Sequence, residues 1–472
     1  MTEGKVMNRW WVVVGALVIQ ISLGAVYIWS VFQTPLRAYF PEWTEGHVTL
    51  PAQIVLAAFA LAVIFGGRIQ DRLGPRKVAT AGGLILGGGL ILARFAGAFE
   101  PTAALVWLIF TFSILGGIGI GAAYVCPIAT CVKWFPDKRG LITGLAVAGF
   151  GAGAFFFAPL ARALISGGAY RLFNVPLFNV PQVGVFNTFM TLGFIFLAAV
   201  VIGAQFLRNP PAGYVPVGWV PPETAKAVPA KADYTPTEML KTPAFWLLWI
   251  TYFAGCTAGL QVIMKASPIW QSFVFADKPT PIAEQTFIDV AAAGAAAVAI
   301  LAIFNSLGRI LWGKISDSLG RKSTLVIMFV LCGAAMLMLM LDWMRIYPLY
   351  LLMISLVALS FGGFLALYPA VTADFFGTKH IGVNYGWMFS AYGAGGIFGP
   401  FLAARLMRVV DNVPYEVVDA QGRMAEKFFE VGDYRPAFLI AGIACLVAAV
   451  ITTQVKPHKT EPLEKKTEGN QK

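Results

Sequence analysis

Twelve runs of roughly twenty apolar residues recur along the 472-residue chain, each long enough to cross a ~30 Å hydrocarbon core as a helix. They fall at approximately 10–32, 48–67, 78–98, 104–126, 140–162, 186–207, 244–264, 290–312, 323–342, 347–369, 382–406 and 435–455. In lipid, every backbone N–H and C=O has to be satisfied within its own segment, so these runs are expected to be helices. Only 12% of the residues are charged against 58% hydrophobic, about half the charged share of a soluble domain, so the surface needs lipid. The first run is too long for a signal peptide, lacks a small-residue cleavage site and continues into Trp29-Ser30-Val31-Phe32. The expected fold class is an all-α membrane protein of twelve transmembrane helices.

A formal net charge of +11 would suggest nucleic acid in a soluble chain, but here the sign is read by position. With the N-terminus taken as cytoplasmic, 22 of the 35 basic residues lie on the cytoplasmic side and 12 at or beyond the outer helix ends; Arg309 alone falls inside a segment. That bias satisfies the positive-inside rule. Lys456, Lys459, Lys465, Lys466 and Lys472 place the tail in the cytoplasm too, as an even number of crossings requires. The expectation is a multi-pass cell-membrane protein with both termini cytoplasmic and no nucleic-acid partner. Five cysteines, Cys126, Cys131, Cys256, Cys332 and Cys445, lie in or beside apolar segments without metal-ligand spacing and read as small core residues, so no metal or cofactor is expected.

The Pro/Ala-rich stretch 208–243 divides the chain into an N-terminal six-helix half, 1–207, and a C-terminal half, 244–455, with 456–472 as tail. The halves repeat each other. Gly67-Arg68-Ile69-Gln70-Asp71-Arg72-Leu73-Gly74 maps onto Gly313-Lys314-Ile315-Ser316-Asp317-Ser318-Leu319-Gly320, and each copy runs into a basic pair, Arg76-Lys77 or Arg321-Lys322. Ala148-Gly149-Phe150-Gly151-Ala152-Gly153 likewise matches Ser390-Ala391-Tyr392-Gly393-Ala394-Gly395, pairing segment five with segment eleven. Two six-helix repeats of the same orientation are the plan of parallel-repeat transporters, whose substrate site lies near the midplane between halves. Gly67-x-x-x-Asp71-Arg72-x-Gly74-x-Arg76-Lys77 resembles the signature loop of the major facilitator superfamily, and the resemblance covers the whole chain. Gly67 and Gly313 permit close helix approach. Asp71 and Asp317 accept hydrogen bonds from neighbouring helix ends, so the motif is expected to gate rather than to bind substrate.

Arg309 is the one charge topology does not explain. It lies eight residues before Asp317, ~12 Å inward along a helix, and its counterpart in the first half is Val63. Its side chain leans toward the helix N-terminus, which for segment eight points away from cytoplasmic water. An intramembrane Arg costs about 2.5 kcal/mol or more and persists mainly beside a wet cavity or a partner. Its planar fork suits a carboxylate, so Arg309 reads as the anchor of an anionic substrate, with Asn305 one turn earlier adding a hydrogen bond. The structural alternative is an Arg bonded to carbonyls or packed on Trp312. Tyr27, Tyr124, Tyr368 and Tyr392 recur where a cavity could be lined and are candidate substrate contacts, although each is as readily a packing aromatic. Asp289, Asp342 and Asp374 sit near helix ends, so no carboxylate proton relay is visible mid-membrane. Lys265 and Arg94 read as interfacial, and His47 and His380 fall in or beside loops. Outer loops 163–185 and 407–434 are unusually long.

Three further stretches narrow the resemblance: Tyr27-Ile28-Trp29-Ser30-Val31-Phe32, Lys133-Trp134-Phe135-Pro136-Asp137-Lys138-Arg139-Gly140, and Leu207-Arg208-Asn209-Pro210-Pro211-Ala212-Gly213-Tyr214. They look like the oxalate/formate antiporter family, itself similar to bacterial monocarboxylate (L-lactate) transporters. The resemblance implies that Arg309 binds the substrate carboxylate and that Asn305 assists it. The chain departs from oxalate-handling members, which carry a Lys in segment eleven where this sequence has Tyr392. One buried cation suits one carboxylate. The expected function is secondary active transport of a small monocarboxylate such as lactate, pyruvate or formate by a monomer, coupled to protons, with oxalate:formate-type exchange as the alternative. An anion channel or a non-transporting sensor fits less well, and no catalytic cluster argues for an enzyme.

Overall fold

A computed structural model describes residues 7–172, 175–211, 213–216, 218, 233–276, 282–418 and 424–456. The middle of the linker and the tail lysines Lys459, Lys465, Lys466 and Lys472 lie outside these described residues. Among the described residues, twelve long helices account for the twelve apolar runs. The first, α1, runs Trp10–Leu23, tightens into a 3₁₀ segment at Gly24–Ile28 and resumes as Trp29–Tyr39. Next come α2 (Glu45–Leu73) and α3 (Pro75–Ala93). Helix α4 starts at Pro101–Leu108, widens into a π segment at Ile109–Leu115 and ends as Gly116–Trp134. Then follow α5 (Arg139–Ser166), α6 (Gly184–Gln205), α7 (Pro243–Phe275) and α8 (Glu284–Leu319). The last four are α9 (Arg321–Met338), α10 (Tyr347–Phe376), α11 (Ile381–Leu406) and α12 (Arg435–Gln454). Among the described residues eleven of these are long and apolar enough to cross a membrane on composition alone. The remaining one, α11, is as long, but six glycines and its Asn384, Tyr385, Ser390 and Tyr392 dilute its hydropathy.

The repeated motif ends in the same way in both copies. Gly74 (φ +87°) stops α2 and Gly320 (φ +88°) stops α8, each in a backbone conformation that costs a residue with a Cβ. Their N–H groups close back on the Gln70 and Ser316 carbonyls at 2.9 and 3.1 Å, and the following helix begins at once. This pair of turns is the local reason for the Gly in each repeat. At the other end of α2, His47 joins a capping box with Thr44, which satisfies two orphan amides of the helix start.

The chain forms two compact units: Met1–Leu248 with Tyr368–Ser390 and Val455–Lys472, and Trp249–Leu367 with Ala391–Gln454. In the first, α1 and α5 meet through Gly24 and Gly153, where a side chain on either would run into the other's backbone. Within the second, Gly395 and Gly399 of α11 sit on Cys256 and Thr257 of α7. Each unit thus uses the glycines of its own copy of the segment-five/segment-eleven repeat to bring helices close, the small-residue packing expected in lipid. All five cysteines are buried and free.

The two long loops are not irregular. The first holds an antiparallel hairpin of β1 (Gly168–Leu172) and β2 (Val175–Val180), and the second a longer one of β3 (Arg408–Val418) and β4 (Met424–Asp433). In the second unit, Phe275, Ile282, Val413 and Val431 form a buried cluster, and Phe287 stacks on Tyr415 at 3.8 Å. Ile282 donates its N–H to the Pro414 carbonyl, and Gly432 donates to Ser272 Oγ. The hairpin therefore ties down the connection between α7 and α8.

Candidate functional site

In the second unit, Arg309 is only 1% exposed, although it lies well inside a membrane helix. A close seam between α8 and α10 holds it there: Gly308 lies on the Leu359 carbonyl, the Asn305 carbonyl on Gly362, and the Trp312 indole on Gly363. These α8 positions recur at intervals of three and four, so they share one stripe, and Arg309 flanks it. Small residues on both helices draw the backbones together, which fixes the Arg309 backbone. Asn305 Oδ1 and Trp312 Nε1, at the same seam, are buried without a hydrogen-bond partner among the described residues. Each such orphan typically costs about 1–3 kcal/mol, so this patch is polar beyond what packing requires. Tyr392 of α11 is also in this unit, 6% exposed and loosely stacked on Phe361 with centroids 6.5 Å apart.

Helix α7 changes one expectation. The sequence ended this helix at residue 264, leaving Lys265 at an interface; in the structure α7 continues to Phe275, so Lys265 sits half-buried inside it, ten residues before the end. Ile269, Trp270, Phe273 and Phe275 carry the apolar pattern past the charge, and Tyr350 of α10 braces the extension with a 2.5 Å hydrogen bond to the Ala266 carbonyl. One and two turns before Lys265 lie Gln261 and Thr257. Gln261 is fully buried, and among the described residues neither its Nε2 nor its Oε1 is hydrogen-bonded, nor is Thr257 Oγ1. As neutral residues in apolar runs, both escaped the search for charges.

The other three tyrosines belong to the first unit. Tyr124 is fully buried among Phe59, Phe150 and Phe389, at ring centroid distances of 5.2, 5.2 and 5.0 Å. Tyr27 is 38% exposed and edges the same Phe150 at 5.5 Å, so the structure brings Tyr27 and Tyr124 together around one phenyl ring. Gln20 of α1 reaches this cluster, donating from Nε2 to the Tyr124 carbonyl at 3.1 Å, with its Oε1 unpartnered. Tyr368 is fully buried in α10, where its carbonyl accepts from Thr372.

The motif residues of the first unit sit at a helix junction. Asp71 accepts from the amides of Gly382 and Val383 at 3.1 and 2.9 Å, the orphan N–H groups at the start of α11, where a carboxylate also meets the positive end of the helix dipole. Gly67, one turn earlier, lies against the Gly382 carbonyl so closely that no side chain fits. Arg76 binds Gln205 at the end of α6, and Arg72 is exposed. Arg139, at the start of α5, forms a 2.5 Å ion pair with Asp374 of α10, a contact no local pattern announced because the partners are 235 residues apart. In the second copy, Asp317 pairs with Arg321 at 2.7 Å, and Arg321 also bonds Ser316 Oγ; Gly313 is buried.

A sequence profile described as Major Facilitator Superfamily matches residues 7–275 and 269–472, together spanning nearly the entire chain. The chain belongs to the Major Facilitator Superfamily. A major facilitator protein of twelve helices is a multi-pass membrane transporter. Among its relatives, the oxalate:formate antiporter of Oxalobacter formigenes is 27% identical over 98% of this chain and 95% of its own length. Apicoplast pyruvate carrier 1 of Toxoplasma gondii is 27% identical over 75% of this chain and 68% of its own. The solved structure of the proton:xylose symporter XylE superposes with a TM-score of 0.63 over 95% of this chain and 96% of that one, at 13% identity, and shares the major facilitator fold.

Proposed function

We propose that this major facilitator protein carries a small monocarboxylate, of the lactate, pyruvate or formate kind, across the cell membrane by alternating access coupled to protons. The observation that carries the reading is Arg309: a guanidinium 1% exposed within a membrane helix, one turn from an Asn whose buried amide oxygen has no partner. A buried fork of donors matches a carboxylate bidentately, and Asn305 adds a neutral donor or acceptor beside it. Tyr27, Tyr124, Tyr368 and Tyr392 supply further phenols and ring faces to the substrate path. The halves 1–207 and 244–455 are the bodies that rock, joined by 208–243. The contacts of Asp71 with Gly382 and Val383, and of Arg139 with Asp374, are the ones that break when the cytoplasmic side opens. The protein acts as a monomer with both termini cytoplasmic.

A second reading, exchange of oxalate for formate, gains from Lys265. Without a Lys at Tyr392, one buried cation argued against a dianion, but Lys265, half-buried within α7, adds a second cation to the same unit. Competition separates the two readings. Uptake of labelled lactate into proteoliposomes is expected to be inhibited by unlabelled pyruvate and glycolate at concentrations at least tenfold below those needed with oxalate. Inhibition by oxalate at the lowest concentrations, with brisk oxalate uptake into formate-loaded vesicles, replaces the first reading by the second.

A further inference from the structure

Helix α7 offers a neutral polar stripe that the anion anchor does not use. Its residues at 255 and 259 face α10, since Gly255 lies on Phe364 and Gly259 on Phe361. Those at 256 and 260 face α11, through Gly395 and Gly396. The backbone of Thr257 also meets Gly395 and Gly399 of α11, at the edge of that contact, while Gln261 and Lys265, one and two turns on, fall on the face these contacts leave over. Gln261 has 0% exposure and an unpartnered amide donor and acceptor; Thr257 has 6% exposure and an unpartnered hydroxyl.

Depth places Gln261 near the anchor. Gly259 packs on Phe361, and the next residue, Gly362, packs on the Asn305 carbonyl, so Gly259, Phe361 and Asn305 share one layer of the unit. Along their antiparallel helices, Gln261 stands about 3 Å to one side of this layer and Arg309 about 6 Å to the other. Side chains lean toward the N-terminus of their own helix, so the Gln261 carboxamide and the Arg309 guanidinium both lean back toward that layer. A carboxylate held by Arg309 and Asn305 puts its α-carbon substituent within this layer.

We infer that Gln261, seconded by Thr257, reads the α-oxygen of the substrate and makes the protein selective for α-hydroxy and α-keto monocarboxylates over simple alkanoates. An amide with one free donor and one free acceptor accepts from a hydroxyl and donates to either a hydroxyl or a ketone. A buried site built to hydrogen-bond an oxygen rejects the analogue that lacks it, because the protein groups then stay unpaired. This inference rests on the monocarboxylate reading of Arg309.

The test compares lactate with propionate, which differ by the α-hydroxyl alone, in proteoliposomes containing wild type, Gln261→Met or Arg309→Gln. Wild type is expected to show a KM for propionate at least tenfold above that for lactate. In Gln261→Met, which keeps the side-chain length, the two KM values converge to within about twofold, with a wild-type melting temperature in detergent as evidence that the variant folds. An unchanged lactate preference, or equal loss of both substrates, assigns Gln261 a purely structural role and overturns the inference. If Arg309→Gln carries both substrates normally, the underlying reading fails instead, whatever Gln261→Met does.

Discussion

Replacing Arg309, the proposed carboxylate anchor, with Gln is expected to leave a folded protein that binds carboxylates far more weakly and no longer transports them. The guanidinium is 1% exposed, so its bonds to a carboxylate form away from competing water. Removing one partner of a buried, charge-assisted pair costs about 2–4 kcal/mol, roughly 30- to 1000-fold in affinity. The fold is expected to survive because Gln keeps much of the aliphatic stem and a polar end group. Carboxylate-induced thermal stabilisation in detergent checks the binding, and the melting temperature without ligand checks the fold. Arg309→Lys is expected to fall in between, since an ammonium supplies charge without the planar fork. Full carboxylate binding by Arg309→Gln would remove the anchor from the account.

The second large effect comes from a residue that touches no substrate. Gly308→Val is expected to destabilise the second unit and to abolish binding, because a Cβ at this position overlaps the Leu359 carbonyl, and a branched one cannot turn away from it. Overpacking of this kind costs about 1–3 kcal/mol, and here it also pushes α8 off α10, carrying Asn305 and Arg309 with it. The expected result is a lowered melting temperature in detergent together with lost carboxylate stabilisation. Gly88→Val, at a glycine with open space around its would-be Cβ, is the control expected to change neither. A Gly308→Val protein with wild-type melting and binding would show that the α8–α10 seam does not position the site.

How much of this was legible before the fold depends on the physical signal each feature carries. The apolar runs were readable because lipid imposes one length and one backbone solution on every segment. Arg309 was readable because a charge inside such a run has a large energetic cost and therefore a small number of explanations. The Gly74 and Gly320 turns were marked by the repeat itself. The end of α7 was misplaced because hydropathy locates a helix end where charge begins, whereas Trp270 and Phe275 extend this helix past Lys265. The hairpin of β3 and β4 left no local mark, because it packs on residues distant in sequence, Ile282 just before α8 and Phe287 in its first turn. Gln261 and Thr257 were silent for a different reason: neutral polar residues in membrane helices are common, and only the fold shows which of them are buried without a partner among the described residues. The Arg139–Asp374 pair needed the fold as well, since each residue alone reads as a helix-end charge.

The central claim is that this major facilitator protein moves a monocarboxylate together with a proton, and the initial rate of labelled L-lactate uptake into proteoliposomes under an imposed inward proton gradient tests it most directly. The account predicts accumulation above the equilibrium level that collapses when a protonophore is added and is absent from Arg309→Gln vesicles. Uptake that ignores the gradient and appears only when the vesicles are preloaded with an unlabelled carboxylate would contradict it and establish an obligatory anion exchanger.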